Sequence, residues 1–290
     1  HDACRRLGIP VPAEVTVDLG AAASPDWRAP EPAVTYPAVI KPARGAAHLL
    51  ASFPGKKKVY PVADAGEARA VLERLASAGL RGTAVVQEMV QGDDTHIRTV
   101  TCYIARDGAV SLMASGRLLL GLHGPTMVGN SAAILTEQQP ELEEQALQIL
   151  RHLDYTGFAN FDIKIDIRDG IARFLDLNPR VGRPNYYVNV AGKNPALAVV
   201  SDLLGGEAPA SGGPQRVGVY SYVPWHLLRR YLGEDLRRQV GAIRRRGGFH
   251  HPLAYRADRN PRRALYRAAS TINLIRDFRR HYPRPTPTGF

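Results

Sequence analysis

The 290-residue chain is 44% hydrophobic, enough for one large core or two smaller ones, and this excludes a disordered or fibrous protein. Its net charge of +11 is unevenly placed, because residues 226–290 hold sixteen arginines, no lysine and four acids, giving +12 there and −1 elsewhere. No apolar run reaches the ~18–20 residues of a membrane span, and two cysteines, Cys4 and Cys102, are too few for a disulfide framework or a zinc site. Both are expected to be small buried residues in a reducing compartment.

The chain opens on His1 rather than Met, and residues 1–8 read as a helix already under way that stops at Gly8, so an upstream part is expected to be missing. Residues 22–33, rich in Pro, Ala and Ser, predict a loop before a first core strand at 38–41, ended by Pro42. A loop with Gly45, Gly55, Lys56, Lys57 and Lys58 leads to a strand at 59–62. A helix follows over 65–78, with Ala68, Val71, Leu72 and Leu75 on one face, and then a strand at 83–90. Residues 95–105 and 109–118 flank Arg106-Asp107-Gly108 and predict a long hairpin. Residues 119–131 read as a glycine-containing loop. A helix at 140–153, a hairpin with arms 158–167 and 171–178, and a helix at 194–204 complete the body, which 205–213 closes as a linker.

This mixed α and β order, with hairpins in place of strict βαβ alternation and no GxGxxG or GxxxxGK[ST], argues against a doubly wound nucleotide fold. Neither HExxH nor GxSxG occurs, which argues against zinc and serine hydrolases. In the tail, Leu265, Ala269, Ile272, Ile275 and Phe278 recur at helical spacing and predict an amphipathic helix with an arginine-rich outer face. A solvated surface is the plain reading of that face, with an anionic membrane or a phosphate-rich partner as alternatives.

The hairpin at 158–178 is the most informative segment. With Arg168-Asp169-Gly170 as a three-residue turn, pairing is symmetric about Asp169, which sets Asp162 opposite Asp176 and Asn160 opposite Asn178. Alternation puts Asn160, Asp162, Lys164 and Asp166 on one face. Facing carboxylates repel, so either a cation lies between them, with oxygen ligands that suit magnesium, or they stand on a solvated face beside Lys164.

The stretch Asp176-Leu-Asn-Pro-Arg180 resembles the metal-binding signature of the ATP-grasp superfamily. The resemblance implies Asp162, Asp176 and Asn178 as ligands of magnesium, with manganese as the alternative ion, and Arg180 at the transferred phosphoryl group. Superfamily members usually carry Glu where Asp162 and Asp176 stand. It further implies that Lys41 and one of the lysines 56–58, with Lys57 and Lys58 preferred, reach the ATP phosphates. Gln87-Glu88-Met89-Val90 is similar to the hinge that contacts adenine, and Asp94 to the ribose-binding acid. Residues 178–194 resemble the corresponding stretch of D-aspartate ligases and related carboxylate-amine ligases, which makes Arg183 a candidate clamp for a carboxylate or phosphate. Arg117, where the second hairpin enters its loop, is a further candidate for substrate contact.

The implied fold is α+β: two lobes, 34–90 and 91–205, clasping ATP. Residues 1–33 precede them as the end of an upstream helix and a linker, and a basic, largely helical extension follows at 206–290. The implied activity is ATP-dependent ligation of a carboxylate to an amine through an acyl phosphate. Its D-aspartate ligase form modifies a peptidoglycan precursor in the cytoplasm, with the tail at the inner membrane surface. The alternative is an ATP-grasp-derived protein that binds a polyanion or membrane surface without ligating, nucleic acid being disfavoured as the partner. The sequence does not fix the oligomeric state.

Overall fold

The computed structural model describes residues 1–24, 26–43, 53–205, 213–254 and 260–289. Gly45 of the phosphate loop and residues 206–212 of the linker lie outside the described residues. The chain divides into two compact units.

The smaller unit takes residues 12–90 with 124–128. Its four strands, β1 (Glu14–Asp18), β2 (Ala38–Pro42), β3 (Tyr60–Val62) and β4 (Thr83–Glu88), form an antiparallel sheet in the order β1-β4-β2-β3. Helix α1 (Asp2–Arg6) belongs to the other unit, and α2 (Ala65–Ser77) covers this sheet. Asp64 caps α2 by accepting from the Glu67 N–H at 2.9 Å, and Glu67 returns a carboxylate to the Ala63 N–H at 2.8 Å. Ala68, Leu72 and Leu75 of α2 pack with Ile40, Tyr60, Val62 and Val86, and each large apolar side chain buried there contributes roughly 1.5–3 kcal/mol. Strand β1 falls in the stretch read as linker. Glu14, Thr16 and Asp18 alternate with only Val15 and Val17, too short an apolar signal to mark an edge strand.

The larger unit holds a seven-stranded sheet in the order β11-β10-β7-β6-β5-β8-β9. Its strands are β5 (Ile97–Ile104), β6 (Val110–Leu122), β7 (Asn130–Thr136), β8 (Gly157–Ile165), β9 (Ala172–Asn178), β10 (Val219–Ser221) and β11 (Phe249–His250). Residues 119–131, read as a loop, are strand at both ends and loop between. Leu119 and Leu120 are fully buried at the end of β6, and only 123–129 separate it from β7. The Leu118-Leu119-Leu120 run is apolar on both faces and passes through two register irregularities, which removes the alternation that marks a strand.

One sheet face packs on α1 and α3 (Pro140–His152), burying Val100, Cys102, Ile104, Phe161, Ile163 and Phe174 with Leu142, Ala146 and Ile149. The other packs on α4 (Tyr186–Val190) and α5 (Pro195–Leu204), burying Tyr103, Leu112, Ala114 and Ile134 with Tyr187, Val188 and Ala198. Cys4 and Cys102 are both buried free thiols, and burial pushes Cys102 up to about 12.

The rest of the chain continues the same unit through α6 (Trp225–Leu228), α7 (Glu234–Arg245) and α8 (Pro261–His281). Strand β10 pairs with β7 and parallel to β11, so residues beyond 213 complete the sheet. In α8 the expected apolar stripe turns inward only in its second half. Phe278 is buried and Leu274 and Ile275 are half-buried, while Leu265 is 73% and Ile272 51% exposed.

Candidate active site

The β8–β9 hairpin sets the geometry. Its turn is one residue wider than the symmetric reading, with Asp166 N–H bonded to Ile171 O at 3.0 Å and Gly170, at φ +73°, in the left-handed region. Near the turn Ile163 therefore pairs with Phe174 and Lys164 with Arg173, but a bulge between Asp162 and Ile163 restores the expected pairs, Asp162 with Asp176 and Asn160 with Asn178. The bulge is what aims Asp176. Phe174 lies in the core, 5.6 Å from the Phe161 ring; strict alternation would put Asp176 on that same face, and the extra residue, Leu175, turns it to the opposite one.

Two rungs run across this polar face. In one, Asp176, Asp162, Thr99 and Gly116 follow one another; in the next, Asn178, Asn160, Thr101 and Ala114. Asn178 Nδ2 donates to Asp162 Oδ2 at 3.2 Å, and Arg180 donates to Asn178 Oδ1 at 3.0 Å. Thr101 donates to Asn160 Oδ1 at 2.6 Å, and the buried Tyr187 hydroxyl donates to Thr101 at 2.8 Å. The chain after Arg180 folds back over Asn160: a Cβ on Gly182 would stand 3.1 Å from Asn160 Oδ1, a tight approach that favours glycine. Tyr187 is thus a packing residue, while Tyr186 and Arg183 are exposed. Arg183 lies near enough to Tyr220 for its charge to act on that phenol.

Two carboxylates and an amide oxygen form an all-oxygen set that fits magnesium, which takes few protein ligands and fills its shell from water and phosphate. Asn178 would turn its amide by about half a revolution to offer Oδ1 beside Asp162, because Nδ2 faces that carboxylate here. Among the described residues no group of three or more His, Cys, Asp or Glu side chains is disposed to hold a metal ion.

The remaining candidates divide. Arg117 pairs with Arg98, which pairs with Ile163, so it stands on the α3 face, away from Asp162, where its Nε donates to Thr95 O at 2.8 Å. Burial, together with Arg117, lowers Arg98 to about 10. The structure does not bring Arg117 to the carboxylates. Asp94 is buried, its Oδ2 accepting from the Gly121 N–H at 2.7 Å and bonded to His123 Nε2 at 2.9 Å.

In the smaller unit Lys41 stands near the end of β2, and Lys57 and Lys58 are exposed. The candidate hinge begins in β4: Gln87 is buried and donates to Glu14 at 3.0 Å, Glu88 N–H bonds Ala13 O at 2.8 Å, and Met89 N–H bonds Pro37 O at 3.0 Å. Those two N–H groups are committed to the protein.

Sequence reasoning missed a cluster in the larger unit. Lys164 is buried; burial pulls its pKa down, while Asp94, Asp93 and Asp166 act the other way. Its Nζ donates to Thr288 O at 3.2 Å. The His123 ring stacks on Tyr282 at 3.5 Å and 10°. Lys164 was legible as part of the polar face, but nothing local in the sequence links residues 123 and 164 to 282–288.

Comparison with solved structures decides the architecture. The L-amino acid ligase from Bacillus licheniformis superposes with a TM-score of 0.52 at 15% identity over 77% of this chain and 52% of that one. The biotin carboxylase β,γ-ATP complex from Campylobacter jejuni gives 0.54 at 17% identity over 75% and 48%. The chain has the ATP-grasp fold.

Among curated sequences, this ATP-grasp chain is similar to the D-aspartate ligase of Enterococcus faecium (strain Aus0004), 26% identical over 253 residues, which is 85% of this chain and 60% of the relative. The chain thus spans about three-fifths of the length of that relative. No family model matches it.

Proposed function

We propose that this ATP-grasp chain is the catalytic body of an ATP-dependent carboxylate-amine ligase. The observation that carries the reading is the Asp162–Asp176 pair, aimed by a bulge onto one face beside Asn178 and Arg180. In the proposed reaction a donor carboxylate oxygen attacks the γ-phosphorus of ATP and ADP leaves; an amine then attacks the acyl phosphate carbon and inorganic phosphate leaves. Asp162, Asp176 and Asn178 would hold magnesium or manganese, which supplies positive charge to the phosphate oxygens when bound. Arg180 stabilises the moving phosphoryl group, and Arg183 orients a carboxylate. Lys41 with Lys57 or Lys58 serves the phosphates, Glu88–Val90 the adenine, and Asp94 the ribose.

Similarity to a D-aspartate ligase supports D-aspartate as donor, and we assign the acceptor to an amine of a peptidoglycan precursor at the cytoplasmic face of the membrane. The test mixes the protein, ATP, magnesium and a panel of carboxylates including D-aspartate with hydroxylamine. A hydroxamate with stoichiometric ADP is expected for one donor; neither product with any donor sinks the reading.

The second reading, a surface-binding protein without ligation, is favoured by α8, where exposed Leu265, Tyr266 and Ile272 lie among Arg262, Arg263, Arg276, Arg279 and Arg280. Among the described residues no helix is long and apolar enough to cross a membrane, so contact would be at the surface. Co-sedimentation with anionic vesicles, abolished in an Arg276→Gln/Arg279→Gln/Arg280→Gln chain, would support surface binding. It would displace the ligase reading only if the donor panel is also silent.

A further inference from the structure

The segment after α8 is built as an element of its own. Tyr282 lies between two rings, stacked on His123 at 3.5 Å and on Tyr231 at 5.5 Å, and its carbonyl accepts from the Tyr231 hydroxyl at 2.6 Å. Its hydroxyl in turn accepts from the Thr286 N–H at 3.0 Å, folding the chain back on itself. Pro283, Pro285 and Pro287 stiffen the turn by fixing φ at alternate positions.

What this segment delivers is a pair of contacts at groups suited to a ligand. Thr288 O takes the hydrogen bond of Lys164, which shares its sheet face with Asp162 and Asn160. Gly289, at φ +76°, stands over Asp94 so closely that a Cβ there would lie 3.1 Å from Oδ1. The hydrogen bonds that Asp94 makes to other described residues go to Oδ2, so Oδ1 is the oxygen that faces the tail. A backbone carbonyl is a neutral acceptor for a buried ammonium, and an anionic oxygen would bind it more strongly. A carboxylate oxygen covered by a glycine has exchanged a hydrogen-bond donor for van der Waals contact.

We propose that residues 282–289 are a built-in strap that covers Asp94 and Lys164 and competes with the nucleotide, and that Lys164 is a further binding residue for an anionic oxygen of that ligand. The inference rests on the reading of Asp94 as a nucleotide contact. While the strap is seated the binding-competent fraction is reduced, and the apparent dissociation constant rises by the inverse of that fraction. Among the described residues, displacement breaks the Lys164–Thr288 bond and the contact at Gly289, while the Tyr282 stack anchors the base of the strap.

Two variants test it by titration with ADP, read by calorimetry at fixed magnesium. A chain ending at Arg284 lacks the covering residues but keeps the Tyr282 stack, and Gly289→Val forces the tip away from Asp94 by steric conflict and by its left-handed backbone. Both are expected to bind ADP at least threefold more tightly than the parent chain. A peptide of residues 284–290 is expected to weaken ADP binding to the truncated chain back toward the parent value. Equal or weaker affinity in both variants overturns the strap while leaving the nucleotide reading intact. ADP binding by none of the three forms overturns both together. If the truncated chain fails to fold, the single substitution decides alone, checked by its thermal transition.

Discussion

Asp162 and Asp176 face each other with Asn178 and Arg180 beside them, so replacing one carboxylate removes a proposed ligand without touching the core. Asp162→Asn and Asp176→Asn are each expected to lower hydroxamate formation about 10²- to 10³-fold, the loss typical of one removed electrostatic stabiliser. Thermal melting should be unchanged or slightly raised, because a like-charge pair is relieved. Asp166 behaves oppositely although it shares their strand face. It is fully buried, bonded by Arg168 at 2.5 Å and paired with Arg173 at 3.4 Å. The hydrogen bond from Arg168 is the main cause that holds its carboxyl below the usual range, against the burial that raises it. A carboxyl with a depressed folded pKa stabilises above the ordinary value of ~4 and loses that contribution as pH falls below it. Asp166→Asn should therefore cost about 1–2 kcal/mol at pH 7, kept small because Arg168 is partly solvated, and much less near pH 3. Urea midpoints at the two pH values measure the difference, and an equal loss at both would refute the assignment.

At the scale of elements, the alternating Asn, Asp and Lys residues made the polar face of the carboxylate hairpin legible, but the Asp162–Asp176 and Asn160–Asn178 pairs match the expectation only because a turn one residue wider and a one-residue bulge offset each other. The bulge itself was not legible. It follows from two demands, that Phe174 fill the core and that Asp176 leave it, and the first is visible only in the packing. Deleting Leu175 is accordingly expected to abolish ligation and to destabilise the chain, since either Asp176 enters the core face or β9 slides by one residue. Parent-level activity in the deletion would show that the bulge does not aim Asp176. Strand β1 and the end of β6 were unreadable for opposite reasons, one too polar and short, the other apolar without alternation. In α8 the period was right and Ile275 and Phe278 of the expected stripe do turn inward, but Thr271 and Leu274 join them while Leu265, Ala269 and Ile272 stay exposed, a choice that only the body beneath makes.

At the scale of the whole molecule, the basic extension changes meaning most. Composition separates residues 206–290 from the rest, yet β10 pairs with β7, and Val219, Val223, Leu228 and Val240 are completely buried. Arginine abundance reports the solvent face of these elements, whereas their inward residues are ordinary core, and a charge count weighs only the first. Burial of those four side chains contributes roughly 1.5–3 kcal/mol each, which together is comparable to the ~5–15 kcal/mol that holds a typical domain folded. A chain ending at Gly205 would also bare the β7 edge, an open template for association. It should therefore elute as aggregate on size exclusion and lack a cooperative melt, whereas the chain ending at Arg284 should remain monodisperse and melt cooperatively. A stable, monodisperse 1–205 fragment would mean that the extension docks on a self-sufficient body. In that event β10 and β11 would be additions to a sheet already complete at β7.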